Sequence, residues 1–209
     1  MSASRKLFIE GPAGRLEAAA RAAERPRGAV VLAHPHPLYG GTMHNPVIFH
    51  ADRELNRAGF TTLRFNFRGV GRSEGKHDDA RGEVGDVGAA ASWIEKAVPG
   101  VPLILVGYSF GSRCAVSYAL TAPSVAAVVA IGFPIRVWPF HDIEALGRPF
   151  AAVQGTKDEF GPIGEVEAVL ARMSPPGVLY KIEGAPHLFP GRAPEVAAAV
   201  VRAVESILA

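Results

Sequence analysis

Apolar positions in this chain follow two rhythms. Short runs rich in Val, Ile, Leu and Ala, each closed by Gly, Pro or a charged residue, occupy residues 7–10, 16–20, 29–33, 61–67, 103–107, 126–132, 150–154 and 178–183, and read as strands. Between them, apolar residues return at helical spacing. Val87, Ala91 and Ile94 form one such set, the small residues of 112–120 another, and Val196, Val200, Val204 and Ile207 close the chain. The first two runs lie close together and predict a hairpin. The alanine- and arginine-containing stretch 15–25 resembles a targeting helix in composition, but Glu17 and Glu24 argue against that role. The remaining strands alternate with helices. The pattern therefore predicts an α/β architecture, a mostly parallel twisted sheet of about eight strands with helices on both faces, in one domain spanning residues 1–209.

Five residues stand where a strand rhythm changes to a helix rhythm: Gly107, Tyr108, Ser109, Phe110 and Gly111. A G-x-S-x-G turn at that junction forces the serine into a strained conformation with its hydroxyl exposed, and its glycines remove Cβ atoms that would meet the neighbouring strand and helix. Ser109 is thus the candidate nucleophile. A base is supplied late, in the loop 183–189, by His187. An orienting acid lies between them in sequence at Asp158, after the run 150–154, with Glu159 as its adjacent competitor. All three follow predicted strands, and in an open parallel sheet the C-terminal strand ends share one edge. The roles expected are attack on a carbonyl by Ser109, proton transfer by His187, and orientation of the imidazole by Asp158.

With this order and context the chain resembles the α/β-hydrolase superfamily over nearly its whole length. The stretch His34-Pro35-His36-Pro37-Leu38-Tyr39-Gly40-Gly41-Thr42-Met43 and the stretch 64–73 (RFNFRGVGRS) are similar to those of small, lidless bacterial hydrolases of the dienelactone-hydrolase-like type. Dienelactone hydrolases proper use a cysteine nucleophile, whereas this chain has Ser109 at the elbow and its single cysteine, Cys114, five residues on. The family pattern also has an acidic residue after Thr-Met, where this chain has His44-Asn45. The resemblance implies an α/β-hydrolase fold with no cap domain, because only about sixteen residues, 133–148, separate the sixth and seventh predicted strands, interrupted by Pro134, Pro139 and Gly147. It implies that Phe110 N–H supplies one half of an oxyanion hole and the loop after the third strand the other. Pro35 and Pro37 have no N–H, which leaves His36, Leu38 or a later residue; Leu38 is the expected second donor, with His36 as the alternative. Tyr39 and His36 are the expected substrate-binding residues, and Tyr39, Phe110, Trp138, Phe140 and Phe160 are candidates for the walls of an open groove.

The other chemistry-bearing clusters read as structural. His34 and His36 suggest a metal pair, but His44, His50 and His77 complete no recognised ligand spacing, so no metal is expected, and His34 is expected to hold its loop by hydrogen bonds. The glycines of 69–75 lack the spacing of a dinucleotide loop, and Arg68 and Arg72 are expected to pin that turn. Asp78, Asp79, Glu83 and Asp86 precede a helix and read as macrodipole and capping partners.

Composition narrows the function further. The chain has 209 residues, is 48% hydrophobic and carries a formal net charge of +2 with both signs interspersed, which gives no nucleic-acid footprint. One cysteine excludes an internal disulfide. The first six residues lead into no apolar segment, and the longest apolar stretch, 125–135, is broken by Pro134, so no membrane association and a cytoplasmic location are expected. The expectation is a serine hydrolase acting without a cofactor on a small-molecule ester of short acyl chain, or on a thioester, through an acyl-enzyme. Acyl transfer, peptide or lactone cleavage on the same triad, or a non-catalytic interaction module, are the alternatives.

Overall fold

The computed structural model describes residues 3–138, 140 and 142–208. Pro139, counted above among the interruptions of the 133–148 stretch, lies outside them, as do Met1 and Ser2 of the N-terminal stretch. The expected hairpin is present: β1 (Arg5–Gly11) and β2 (Gly14–Arg21) pair antiparallel, from Arg5 opposite Ala20 to Gly11 opposite Gly14. Strands β3 (Ala29–Ala33), β4 (Thr61–Phe65), β5 (Leu103–Tyr108), β6 (Val125–Ile131), β7 (Phe150–Gly155) and β8 (Val178–Ile182) follow. The eight form one sheet in the order β1-β2-β4-β3-β5-β6-β7-β8, in which β2 meets β4 antiparallel and all later pairs are parallel.

Burial explains why these runs were legible. Every residue of β3, β4, β5 and β7 is buried, as parallel strands covered on both faces must be. Alternate side chains enter two separate cores. Val31, Leu105 and Val128 pack with Val87, Cys114 and Val166 from α2 (Arg81–Ala97), α3 (Phe110–Thr121) and α4 (Ile163–Arg172). Val30, Ile104 and Val129 pack on the other face with Ile48, Leu55 and Val200 from α1 (Pro46–Arg57) and α5 (Ala193–Leu208). Helix α1 starts where Asn45 accepts the Val47 N–H at 2.9 Å, with Pro46 in the first helical position. Asn45, the second residue after Thr42-Met43, is therefore a helix cap.

Two buried charge clusters tie this frame together. The Asp52 carboxylate of α1 accepts from Arg21 Nε at 2.7 Å, Arg64 Nε at 3.1 Å and the Thr62 hydroxyl at 2.6 Å, joining α1 to β2 and β4. Asp86 of α2 takes the Arg68 side chain in a two-pronged pair, with the closer contact at 2.7 Å, and also accepts the Arg68 backbone N–H at 3.0 Å. Arg68 thus pins the glycine-rich turn as expected, and Arg72 joins it through its backbone N–H to Glu17 and by stacking over Phe8. Glu83 receives the Asp78 N–H at the start of α2, in keeping with its expected capping role.

The chain runs from β3 through α1 to β4 on one side, then crosses through α2 to β5 on the other side of β3. The direction of winding therefore reverses between β3 and β5, and the loops beyond their carboxyl ends diverge to leave a crevice. Between β6 and β7 the described residues carry only one helical turn, Ile143–Leu146, and no separate cap.

Candidate active site

Ser109 stands at the end of β5 with φ 52° and ψ −113°, a conformation rare for a residue with a side chain. Its N–H bonds to Ile131 O at 2.8 Å, fixing the turn to the end of β6. A Cβ on Gly107 would enter the backbone of Gly111 and Ser112, and one on Gly111 would enter the carbonyl of Ala33, so the elbow accepts only glycine at both places. The three sequence candidates converge. Ser109 Oγ lies 2.9 Å from His187 Nε2, and His187 Nδ1 lies 2.8 Å from Asp158 Oδ2. All three are nearly buried. Glu159 points to solvent and takes no part.

The acid is held from two sides. Phe160 N–H donates to Asp158 Oδ1 at 2.9 Å, and Gln154 Nε2 donates to Oδ2 at 2.9 Å. Gln154 also donates to Gly161 O at 2.8 Å and accepts the Phe133 N–H at 2.7 Å, so one buried amide joins the carboxylate to both neighbouring loops. Tyr108 performs a similar service for the base: its hydroxyl donates to His187 O at 3.0 Å. Burial and the nearby Asp158 raise the Tyr108 phenol beyond the range in which it could ionise and turn that donor off. Neither residue stood out in the sequence as functional. The available signal for Gln154 was a polar side chain closing an otherwise apolar buried strand, since such a group must find partners.

The loop after β3 bears on the expected second oxyanion donor. His36 caps a single helical turn, Pro37–Tyr39, by accepting the Leu38 N–H on Nδ1 at 3.2 Å. That amide is therefore already engaged, and Leu38 is 68% exposed. By contrast, the backbone N–H groups of His36 and Phe110 make no hydrogen bond among the described residues. The two residues are neighbours, with ring centroids 4.8 Å apart. Tyr39 packs against His36 at 4.8 Å, and Trp138 stacks on it at 6.2 Å. Phe140 is half-buried and packs at 4.5 Å on the core residue Phe133.

His34 carries no chemistry in this arrangement. Its Nε2 accepts the Phe67 N–H at 3.1 Å and its Nδ1 faces Pro35 O at 2.6 Å, so the neutral ring protonated on Nδ1 satisfies both partners. Burial pushes its pKa from 6.5 down to about 4, with the Pro35 carbonyl opposing the shift. Between those values the unfolded chain takes up a proton that the folded ring refuses. Stability present above pH 6.5 is therefore lost as pH falls towards 4, by about 3 kcal/mol in all. Urea unfolding across that window should show a steeper acid decline for the wild type than for His34→Gln; parallel curves would contradict the assignment.

Among the described residues no three His, Cys, Asp or Glu side chains are grouped to hold a metal ion, and no helix is long and apolar enough to cross a membrane. Cys114 is buried in the core behind the elbow, where desolvation raises its thiol pKa well above the ordinary value and opposes formation of the thiolate nucleophile.

A nucleophile elbow at the end of a central parallel strand, with an acid and a histidine brought in after later strands, defines the α/β-hydrolase class. Residues 36–162 match the model of the alpha/beta hydrolase fold family, and the chain belongs to that family. It is 34% identical to an uncharacterised protein of Rickettsia prowazekii over 93% of this chain and 86% of the relative. Among solved structures, an alpha-beta serine hydrolase homologue from Coxiella burnetii superposes with a TM-score of 0.88 at 34% identity, covering 97% of both chains. A serine hydrolase without a lid from Xanthomonas campestris superposes with a TM-score of 0.88 at 30% identity, covering 97% of this chain and 94% of that one.

Proposed function

We propose that this chain is a serine hydrolase that cleaves carboxylic esters of short acyl chain, or thioesters, through an acyl-enzyme. The observation that carries the reading is the unbroken line of contacts from Ser109 Oγ through the His187 ring to Asp158. As Oγ attacks the ester carbonyl, its proton passes to His187 Nε2, and the imidazolium so formed is stabilised by Asp158 at Nδ1. The carbonyl oxygen becomes an oxyanion that accepts from the unengaged N–H groups of Phe110 and His36. Collapse of this intermediate breaks the bond to the leaving oxygen, which takes the proton from Nε2 and departs as the alcohol. Water then repeats the sequence on the acyl-serine, releasing the acid and restoring Ser109.

His36 replaces Leu38 as the second donor in this scheme because the Leu38 amide is committed to capping the turn. The preference for short acyl groups follows from the brief 133–148 excursion, which supplies no cap to enclose a long chain. Treatment with a fluorophosphonate should add one phosphonyl group, on the peptide containing Ser109. In a series of p-nitrophenyl esters, kcat/KM should be highest at about two to six acyl carbons. Absence of labelling would defeat the serine chemistry, and a maximum at twelve or more carbons would defeat the open groove.

A further inference from the structure

Seven large apolar side chains stand well exposed among the described residues, and five of them, Leu38, Tyr39, Val137, Phe160 and Leu188, belong to the loops that carry the candidate site. Four of these five fall into two groups. Leu38 and Tyr39 accompany His36, on the side where the carbonyl oxygen would be held. Phe160 and Leu188 accompany His187.

The second group has a chemical meaning within the proposed reaction, on which this inference rests. The leaving oxygen takes its proton from His187 Nε2, so the alcohol portion of an ester departs across the imidazole. The Phe160 ring stands edge-on to that imidazole, with centroids 4.7 Å apart and planes at 85°. It is 40% exposed, and its backbone is held on both sides: its N–H by Asp158 Oδ1 at 2.9 Å, its carbonyl by the Arg136 N–H at 3.0 Å. The carboxylate that orients the base therefore also anchors the ring beside it. Leu188 follows the base directly and is 74% exposed, so its side chain is largely free of the core. Val137, 45% exposed, follows the residue whose N–H bonds Phe160 O.

We propose that Phe160 and Leu188 form a leaving-group platform, and that the substrates are esters of apolar alkyl or aryl alcohols rather than of polyols or charged alcohols. An alkyl or aryl group laid on these side chains removes apolar surface from water on both partners. A polyol would forfeit hydration there, because neither side chain offers a hydrogen-bonding group.

Acetate esters of hexanol, benzyl alcohol, methanol and glycerol test this directly. All give the same acetyl-enzyme, so their kcat/KM values differ only through the alcohol. Hexyl and benzyl acetate should exceed glyceryl acetate by at least about tenfold. Leu188→Asn should reduce that ratio at least about threefold, Phe160→Leu should lower the benzyl preference more than the hexyl one, and Val178→Asn, on an exposed apolar residue of β8, should leave the ratios as in the wild type. Equal kcat/KM for all four acetates with the wild type would overturn the proposal, as would an equal loss on all four with Leu188→Asn. So would a change in sedimentation of Leu188→Asn with the ratios intact, which would make the patch a contact between copies. Fluorophosphonate labelling separates the two levels: labelling of Ser109 without an alcohol preference sinks the platform alone, whereas no labelling sinks the serine chemistry beneath it.

Discussion

Ser109→Ala should reduce turnover of a p-nitrophenyl ester by several powers of ten, of the order of 10⁴ to 10⁶, with an unchanged circular dichroism spectrum. The magnitude follows from what the hydroxyl does in the proposed scheme, where every turnover passes through a bond to Oγ. The structural cost should be small. Alanine keeps the Cβ and meets the same backbone constraint at φ 52°, and the substitution removes one side-chain contact, to His187 Nε2. Neither core depends on it. A variant that keeps more than about a tenth of wild-type activity would exclude Ser109 as the nucleophile.

The second large effect separates two adjacent acids. Asp158→Asn should cost about 10³- to 10⁴-fold in turnover, and Glu159→Gln less than about threefold. Both Asp158 oxygens face donors: Oδ1 the Phe160 N–H, Oδ2 the Gln154 amide and His187 Nδ1. An asparagine amide must turn its NH₂ towards one of these sets. Turned to Oδ1, it opposes Phe160; turned to Oδ2, it opposes Gln154 and drives the His187 proton to Nε2, where the ring can no longer accept from serine. Glu159 is solvent-facing and has no such partners. Parallel kcat measurements on the two variants decide the matter, and the opposite ranking would reassign the acid.

Most of the frame was legible because β3, β5 and β7 are buried on both faces and so read as unbroken apolar runs bounded by turn residues. β3 matches its expected limits, and the neighbouring strands differ by one or two residues at their ends. The two-residue overrun at the end of β4 has a local cause. Phe67 is apolar and β-prone, but its N–H goes to the His34 ring instead of a neighbouring strand, so pairing stops at Phe65. The three residues that converge, Ser109, Asp158 and His187, were readable because each follows a strand, and strand ends gather at one edge of a parallel sheet. The engagement of the Leu38 N–H by His36 follows from one inference that the sequence permits. A proline at the first position of a helical turn, preceded by a side chain able to accept, commits the next N–H to that cap. Gln154 and Tyr108 were missed because their importance lies in partners distant in sequence, Asp158 with Gly161 and the His187 carbonyl, which no local pattern displays.

The elbow is a seam as well as a turn. In the proposed scheme, the groups that meet the carbonyl, His36, Ser109 and Phe110, come from the chain before α3 ends. The groups that meet the departing alcohol, Phe160, His187 and Leu188, come from the chain after it, as does Asp158 behind the imidazole. Across that seam, β5 and β6 are joined by backbone pairing from Leu103 opposite Val125 to Tyr108 opposite Ile131, which depends little on side-chain identity. A recombination junction in the short link 122–124 would therefore exchange the leaving-group half between family members while keeping the nucleophile half intact. Chimaeras made at that point should keep the nucleophile and oxyanion side of one parent and take the alcohol preference of the other, together with the acyl-length limit set by the 133–148 excursion, and profiling each with a matched ester matrix would reveal whether those two preferences move as one trait.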